Sequence, residues 1–217
     1  MEIGTYPLEK TSIFQGADAQ QVQKMLGVIL PSIKTYARGE TICRAGETVS
    51  SLGIVLAGGA TIELCDAWGN RSIIERLEPG EVFAEAYACL PGEPLMVSVT
   101  ADAPTRVMFL GVSRMLSMGL EPEQAILTTN LLRIMARKNV TLSQRMMNIS
   151  ARTIRARLLS YLSQQAIRTG SSRFTIPFNR QELADYLGVE RSALSAQMSK
   201  MKEEGLIDYH KNAFEVL

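Results

Sequence analysis

Hydrophobic and polar positions divide the chain into three textures. Behind Asp18, a good N-cap, Val22, Met25, Leu26 and Ile29 recur at helical spacing, and Pro31 closes the segment. From Ile33 to Phe109 the pattern changes to short apolar runs, Ser51–Ala57, Ala60–Cys65, Arg71–Leu77 and Met96–Thr100, each of strand length. Turn signals separate them at Arg38-Gly39-Glu40, Ala45-Gly46-Glu47, Gly58-Gly59, Trp68-Gly69-Asn70, Pro79-Gly80-Glu81 and Pro91-Gly92-Glu93. Short strands with turns every 8–12 residues predict a small β-sandwich or roll. From Pro122 the period is helical again. Leu132, Met135, Asn139, Leu142, Met146 and Ile149 follow spacings of 3, 4, 3, 4, 3, a heptad seam on a long helix. Such a helix either pairs with a copy of itself, with Asn139 at an a-type position fixing a two-stranded register, or packs on its own β domain. Asn148-Ile149-Ser150 reads as a hinge. A further helix runs from Thr153 to Ile167 and stops near Gly170.

The C-terminal texture is the most specific. Asn179 and Glu182 make a capping box, and Leu183, Ala184 and Leu187 give the helix behind it one apolar stripe. Gly188 supplies the left-handed corner. Leu194, Met198 and Met201 form the inner face of a second helix whose outer face carries Arg191, Ser192, Ser195 and Lys200, and Gly205 ends it. Two helices joined in this way are a helix-turn-helix, whose second helix enters the DNA major groove. Phe174–Pro177 reads as a strand before the pair, and Leu206–Tyr209 with Ala213–Leu217 as a hairpin after it, making a winged helix.

Charge sharpens this reading. The 217 residues carry 23 Lys/Arg and 22 Asp/Glu, but residues 1–130 hold 9 and 15, whereas residues 131–217 hold 14 and 7. A net of −6 in front of +7 joins a part that avoids polyanions to one suited to nucleic acid. The hydrophobic fraction, 46%, suffices for a packed core. No apolar run approaches the roughly 20 residues of a membrane span, and Met1-Glu2-Ile3-Gly4 lacks a basic n-region, so no membrane association is expected. Cys43, Cys65 and Cys89 do not form a disulfide framework, and a reducing cytoplasm is the expected location.

The order of these parts resembles the Crp/Fnr (cyclic-AMP-receptor and fumarate-nitrate-reductase-regulator) family of bacterial transcription factors. The resemblance rests on Gly39-Glu40, Gly46-Glu47, Gly58, Leu77-Glu78-Pro79-Gly80-Glu81, Phe83-Ala84-Glu85 and the run Arg180–Val189, and it spans about Phe14 to Leu217. It implies an α+β chain: a β-roll sensing domain over 1–121, a dimerisation helix over 122–149 and a winged helix-turn-helix over 150–217. It further implies a homodimer binding a near-palindromic double-stranded operator and, as partner, RNA polymerase. DNA contacts would come from Asn179, Arg180 and Gln181 on phosphates, from Arg191 on a guanine edge, and from Glu190, Ser192, Ser195 and His210. Ser192 stands where many relatives place a glutamate and Ala196 where they commonly place an arginine, which leaves the target sequence open.

Relatives that bind cyclic nucleotides use a Gly-Glu and an Arg-Ser pair. Here Ala84 replaces the glycine, and Leu95-Met96-Val97-Ser98 occupies the Arg-Ser region. No Lys or Arg lies between Arg76 and Arg106. A buried phosphate would lack its cation and face Glu85, so cyclic AMP is not the expected effector. Phe83, Glu85, Tyr87, Leu95, Met96 and Val97, with Met135 and Asn139 from the long helix, either line a mainly apolar pocket for a small molecule or fill a closed core. Iron–sulfur relatives need four placed cysteines, and the single histidine, His210, lies in the wing, so neither metal nor cofactor is expected. The alternatives are a redox or haem response through the cysteines, and a non-DNA interaction module that kept the fold. An enzyme is not expected, because no nucleophile–base set, zinc spacing or Walker loop is present.

Overall fold

Gly-Glu pairs build the corners of the β-roll. In three of them the glutamate carboxylate turns back onto the backbone N–H three residues earlier: Ala37 N–H donates to Glu40 at 2.8 Å, Arg44 N–H to Glu47 at 3.3 Å, and Glu78 N–H to Glu81 at 2.7 Å. The glycine before each acid has φ of +82° to +95°, a conformation costly for other residues. The motif is thus a self-capped turn.

The computed structural model describes residues 6–65, 71–117, 119 and 121–217, the side chains of 65, 71, 72 and 121 excepted. The turn expected at Trp68-Gly69-Asn70 and the start Met1–Gly4 lie outside the described residues, as does the Cys65 side chain. The chain divides into two compact units, Met1–Ala136 and Arg137–Leu217. The expected middle segment, 122–149, is therefore split between them.

In the first unit, α1 (Ala19–Ile29) starts on a reciprocal Asp18–Gln21 capping box and ends at Leu30 before Pro31. Eight strands follow: β1 (Ser32–Tyr36), β2 (Thr41–Cys43), β3 (Ser51–Ala57), β4 (Ala60–Cys65), β5 (Arg71–Leu77), β6 (Val82–Phe83), β7 (Ser98–Ala101) and β8 (Thr105–Gly111). They form two antiparallel sheets, ordered β1-β8-β3-β6 and β2-β7-β4-β5. The apolar run Met96–Thr100 becomes strand only from Ser98, because Leu95 N–H pairs with Glu47 O and Met96 N–H faces the Tyr87 hydroxyl. Strand β3 is buried on both faces, hence its unbroken apolar sequence. Its Leu52, Ile54 and Leu56 join one core with α1, α3 (Val112–Leu116) and the start of α4 (Glu121–Ser150); Val55 joins the other, inside the roll, with Phe83, Leu95, Val99 and Val107.

Ala84 caps α2 (Glu85–Ala88) with φ +58°, a left-handed conformation its methyl group resists. Ala84→Gly should therefore raise stability by about 1 kcal/mol, measured as a shift of the urea midpoint; a loss of stability would show that the methyl group's packing outweighs the strain.

Helix α4 buries Leu127, Leu131 and Ile134 in the first core. Farther along, Leu132, Leu142 and Met146 of the heptad seam are 63%, 60% and 68% exposed. In the second unit come α5 (Ile154–Thr169), capped by Thr153 and Gly170, then β9 (Arg173–Thr175), α6 (Arg180–Leu187), α7 (Arg191–Glu203), β10 (Ile207–His210) and β11 (Ala213–Val216), with a three-stranded sheet ordered β10-β11-β9. The hinge expected at Asn148-Ile149-Ser150 is corrected here. Helix α4 continues through Ser150, and Asn148 is fully buried: it donates to Gln164 Oε1 (3.1 Å) and the Tyr186 hydroxyl (3.4 Å) and accepts from Ser160 (2.8 Å). The chain bends instead at Ala151–Thr153.

Candidate nucleic-acid interface

Every cap at the helix pair is local and doubly made. Asn179 Oδ1 accepts from Gln181 N–H (2.9 Å) and Glu182 N–H (3.0 Å), while Glu182 accepts from Asn179 N–H (2.8 Å). Gly188, at φ +62°, lets Val189 N–H reach back to Ala184 O (3.0 Å). The carbonyls left at that corner receive the Arg157 guanidinium, 2.9 Å from Leu187 O and 3.0 Å from Gly188 O. Sequence reasoning missed Arg157, because its partners lie thirty residues downstream and leave no periodic trace. Leu194, Met198 and Met201 are fully buried against Leu158, Leu162, Leu183 and Leu187. The second helix is thereby fixed, and Arg191, Ser192, Ala196 and Lys200 stay on its exposed face.

The other candidate DNA contacts fall into two sets. Arg191, Ser192 and His210 are exposed, and Ser195, whose hydroxyl donates to Arg191 O at 2.9 Å, is half-buried. Three others are occupied within the fold. Glu190, expected at the groove, is the N-cap of α7: it takes Ser192 N–H and Ala193 N–H, both at 2.9 Å, and the Ser192 hydroxyl. Those donors hold its carboxyl below the usual range, the Ser192 side chain foremost. Gln181 donates its side chain to Asp185 (2.9 Å). Arg180, expected as a phosphate anchor, lies over the Tyr209 ring at 5.0 Å and against the Met198 sulfur. Burial lowers its pKa, and the charge of neighbouring Arg191 acts in the same direction. The two guanidiniums bring positive charge to one edge of the helix pair.

The expected effector residues are not all brought together. Phe83 and Leu95 are buried in the roll core, with Tyr87 packed against them and Val97 half-buried. Adding a Cβ to Gly53 would bring it within 2.2 Å of the Phe83 ring, so that ring fills the space a glycine leaves. Met96 is 70% exposed, since the chain turns outward before β7. Met135 packs in the other core, and Asn139 is exposed in the second unit. Glu85 is buried. Cys43 is buried too, and burial raises its thiol pKa to about 11; burial also pushes Cys89 up. Neither favours the thiolate that redox chemistry needs. Among the described residues no cluster of His, Cys, Asp and Glu could hold a metal, and no helix is long and apolar enough to cross a membrane.

A β-roll, a long helix and a winged helix-turn-helix define a class: DNA-binding transcription regulators. Comparison with known proteins agrees. Residues 33–120 match the cyclic nucleotide-binding domain model and residues 156–217 the Crp-like helix-turn-helix domain model. The chain is 23% identical to the CRP-like cAMP-activated global transcriptional regulator of Mycobacterium tuberculosis, over 92% of this chain and 89% of that one. It is 22% identical to the transcriptional activator protein FnrL of Cereibacter sphaeroides, over 94% and 83%. Among solved structures, the catabolite activator protein of Thermus thermophilus (22% identity, TM-score 0.53, 95% and 94% covered) and the c-di-GMP responsive regulator CLP of Xanthomonas campestris (14%, 0.63, 92% and 99%) share the fold. The chain belongs to the Crp/Fnr family of transcription regulators.

Proposed function

We propose that this protein is a homodimeric, sequence-specific DNA-binding regulator whose β-roll responds to something other than a cyclic nucleotide. The observation that carries the first half is α7, an internally capped helix with Arg191 exposed at its N-terminal end. Dimerisation is supported by the exposed seam of Leu132, Asn139, Leu142 and Met146, too apolar a stripe for a solvated helix face. Two recognition helices related by a two-fold axis read half-sites one helical turn apart in a near-palindrome, and RNA polymerase is the partner the family implies. The relatives are regulators, and the sequence carries no nucleophile–base set, zinc spacing or Walker loop, which supports a regulator over an enzyme.

The second half rests on the roll. The Mycobacterium relative is named as cAMP-activated, but this chain puts a buried Leu95 and an exposed Met96 in the region expected to meet phosphate. Charge-assisted hydrogen bonds are worth about 1.5–3 kcal/mol each, so cyclic AMP should bind at least ten-fold more weakly than to a site that has them. The test is operator selection followed by fluorescence anisotropy across a salt series, with and without cyclic AMP, and sedimentation of the free protein. The expected result is a dimer whose affinity falls steeply with salt and ignores cyclic AMP. Absence of any selected sequence would refute the regulator. Micromolar cyclic AMP binding with a gain in DNA affinity would refute only the reading of the roll.

A further inference from the structure

Sheet β2-β7-β4-β5 has an outer face that its position does not explain. Alternation sends Ala60, Val99 and Ala101 into the roll, and register sets Thr61 opposite Thr100 on one side and Arg76 on the other, with Glu63 opposite Ile73. These outward residues should be solvated, yet Thr61 and Glu63 are buried. They floor a cleft of about 730 Å³ bordered by Arg38 and Gly39 of the β1–β2 turn, Asp102 of the β7–β8 turn, and Ile73 and Arg76 of β5. The floor is internally ordered. The Thr61 hydroxyl lies 2.8 Å from both Asp102 oxygens, and the Thr100 hydroxyl donates to Glu63 Oε1 at 3.0 Å. At the rim the Arg38 and Arg76 guanidiniums are exposed, and neither forms an ion pair among the described residues.

We propose that this cleft is a binding site for a small hydroxylated oxyanion, a phosphate or carboxylate carried on a polyol-like carbon skeleton. Each half of the lining demands one half of that chemistry. Guanidiniums present planar paired donors to an oxyanion. The fixed Asp102 carboxylate and the threonine oxygens accept hydrogen bonds, and the Glu63 carboxylate adds negative charge to the floor, so the lining favours a ligand with hydroxyl donors and opposes a bare anion. The volume suits a metabolite of this kind. The site lies on the outer face, across the sheet from the core of Phe83 and Leu95, and its occupancy does not depend on the DNA-binding reading.

Calorimetry and ligand-observed NMR on the full chain, without DNA, test it with four probes: glucose 6-phosphate, gluconate, inorganic phosphate and glucose. Glucose 6-phosphate or gluconate should bind with a submillimolar Kd, and the phosphate source is told from the carboxylate source by which of the two does so. Phosphate alone and glucose alone should each bind at least ten-fold more weakly. Arg38→Gln and Arg76→Gln should each lower the affinity about ten-fold or more, with unfolding midpoints unchanged because both side chains are exposed. Thr100→Val should lower it without touching either charge. No binding of glucose 6-phosphate or gluconate at about 10 mM overturns the site. So does equal binding by the arginine variants, or phosphate binding as tightly as its sugar ester.

Discussion

Arg191→Ala should weaken binding to the selected operator by about 1–3 kcal/mol, roughly 5- to 150-fold, and flatten the base preference at one position of each half-site. Binding to random duplex should fall far less, because a guanine-reading guanidinium contributes mainly where its base is present. The fold should not change, since the side chain is exposed and α7 is capped by Glu190 rather than by Arg191. Arg180→Ala provides the contrast. Its guanidinium stacks on Tyr209 and its neighbour is Met198, so truncation should weaken every DNA sequence alike and also lower the stability of the second unit by about 1 kcal/mol. Competition anisotropy against operator and random DNA, beside chemical unfolding, separates the two. If Arg191→Ala loses operator and random DNA equally, it does not read a base.

Phe83→Ala should cost about 3–5 kcal/mol, the range for emptying a packed core of an aromatic ring. The ring is fully buried among Val55, Leu95 and Val107 and lies edge-on to Phe109, with centroids 6.4 Å apart. Gly53, its register partner on β3, leaves the space that the ring occupies. Gly53→Ala alone should therefore cost about 1–3 kcal/mol by overpacking. The double variant Gly53→Ala/Phe83→Ala should be more stable than the two costs predict, because the new methyl group takes part of the vacated volume. Urea unfolding of the four proteins closes the cycle. A cost under about 1 kcal/mol for Phe83→Ala would mean that the ring lines open space, and would return it to an effector pocket.

What the sequence disclosed follows from the range of the interactions involved. Asn179–Glu182, Asp18–Gln21, Gly188 and the stripe Leu194, Met198, Met201 are set within one or two helical turns, so spacing alone was sufficient. Strands β3, β4 and β5 begin and end where their apolar runs do, and the family was legible from the order of its turns. Phe83 was ambiguous because its role depends on pairing with Gly53, thirty residues away. The packing of Arg180 on Tyr209 left no trace because that ring arrives from the wing, nor did the capping by Glu190, since a glutamate is not a common N-cap. The outer-face cleft left no signal at all: Arg38, Thr61, Arg76 and Asp102 meet only through the β4–β5 and β4–β7 registers and two turns.

The buried Asn148 gives the last turn of the long helix a single angular setting. Rotating that turn by even one residue's 100° would carry the amide away from Ser160, Gln164 and the Tyr186 hydroxyl at once, leaving several polar groups dry at about 1–3 kcal/mol each. The Arg145 guanidinium, 5.4 Å above the Tyr186 ring, reinforces the same setting one turn earlier. Mechanically, the helix-turn-helix is keyed to the end of α4 as a gear is keyed to its shaft. Within the second unit, the end of that shaft and the helix pair therefore turn together, and the angle at which Arg191 is presented is fixed to the last turn of α4.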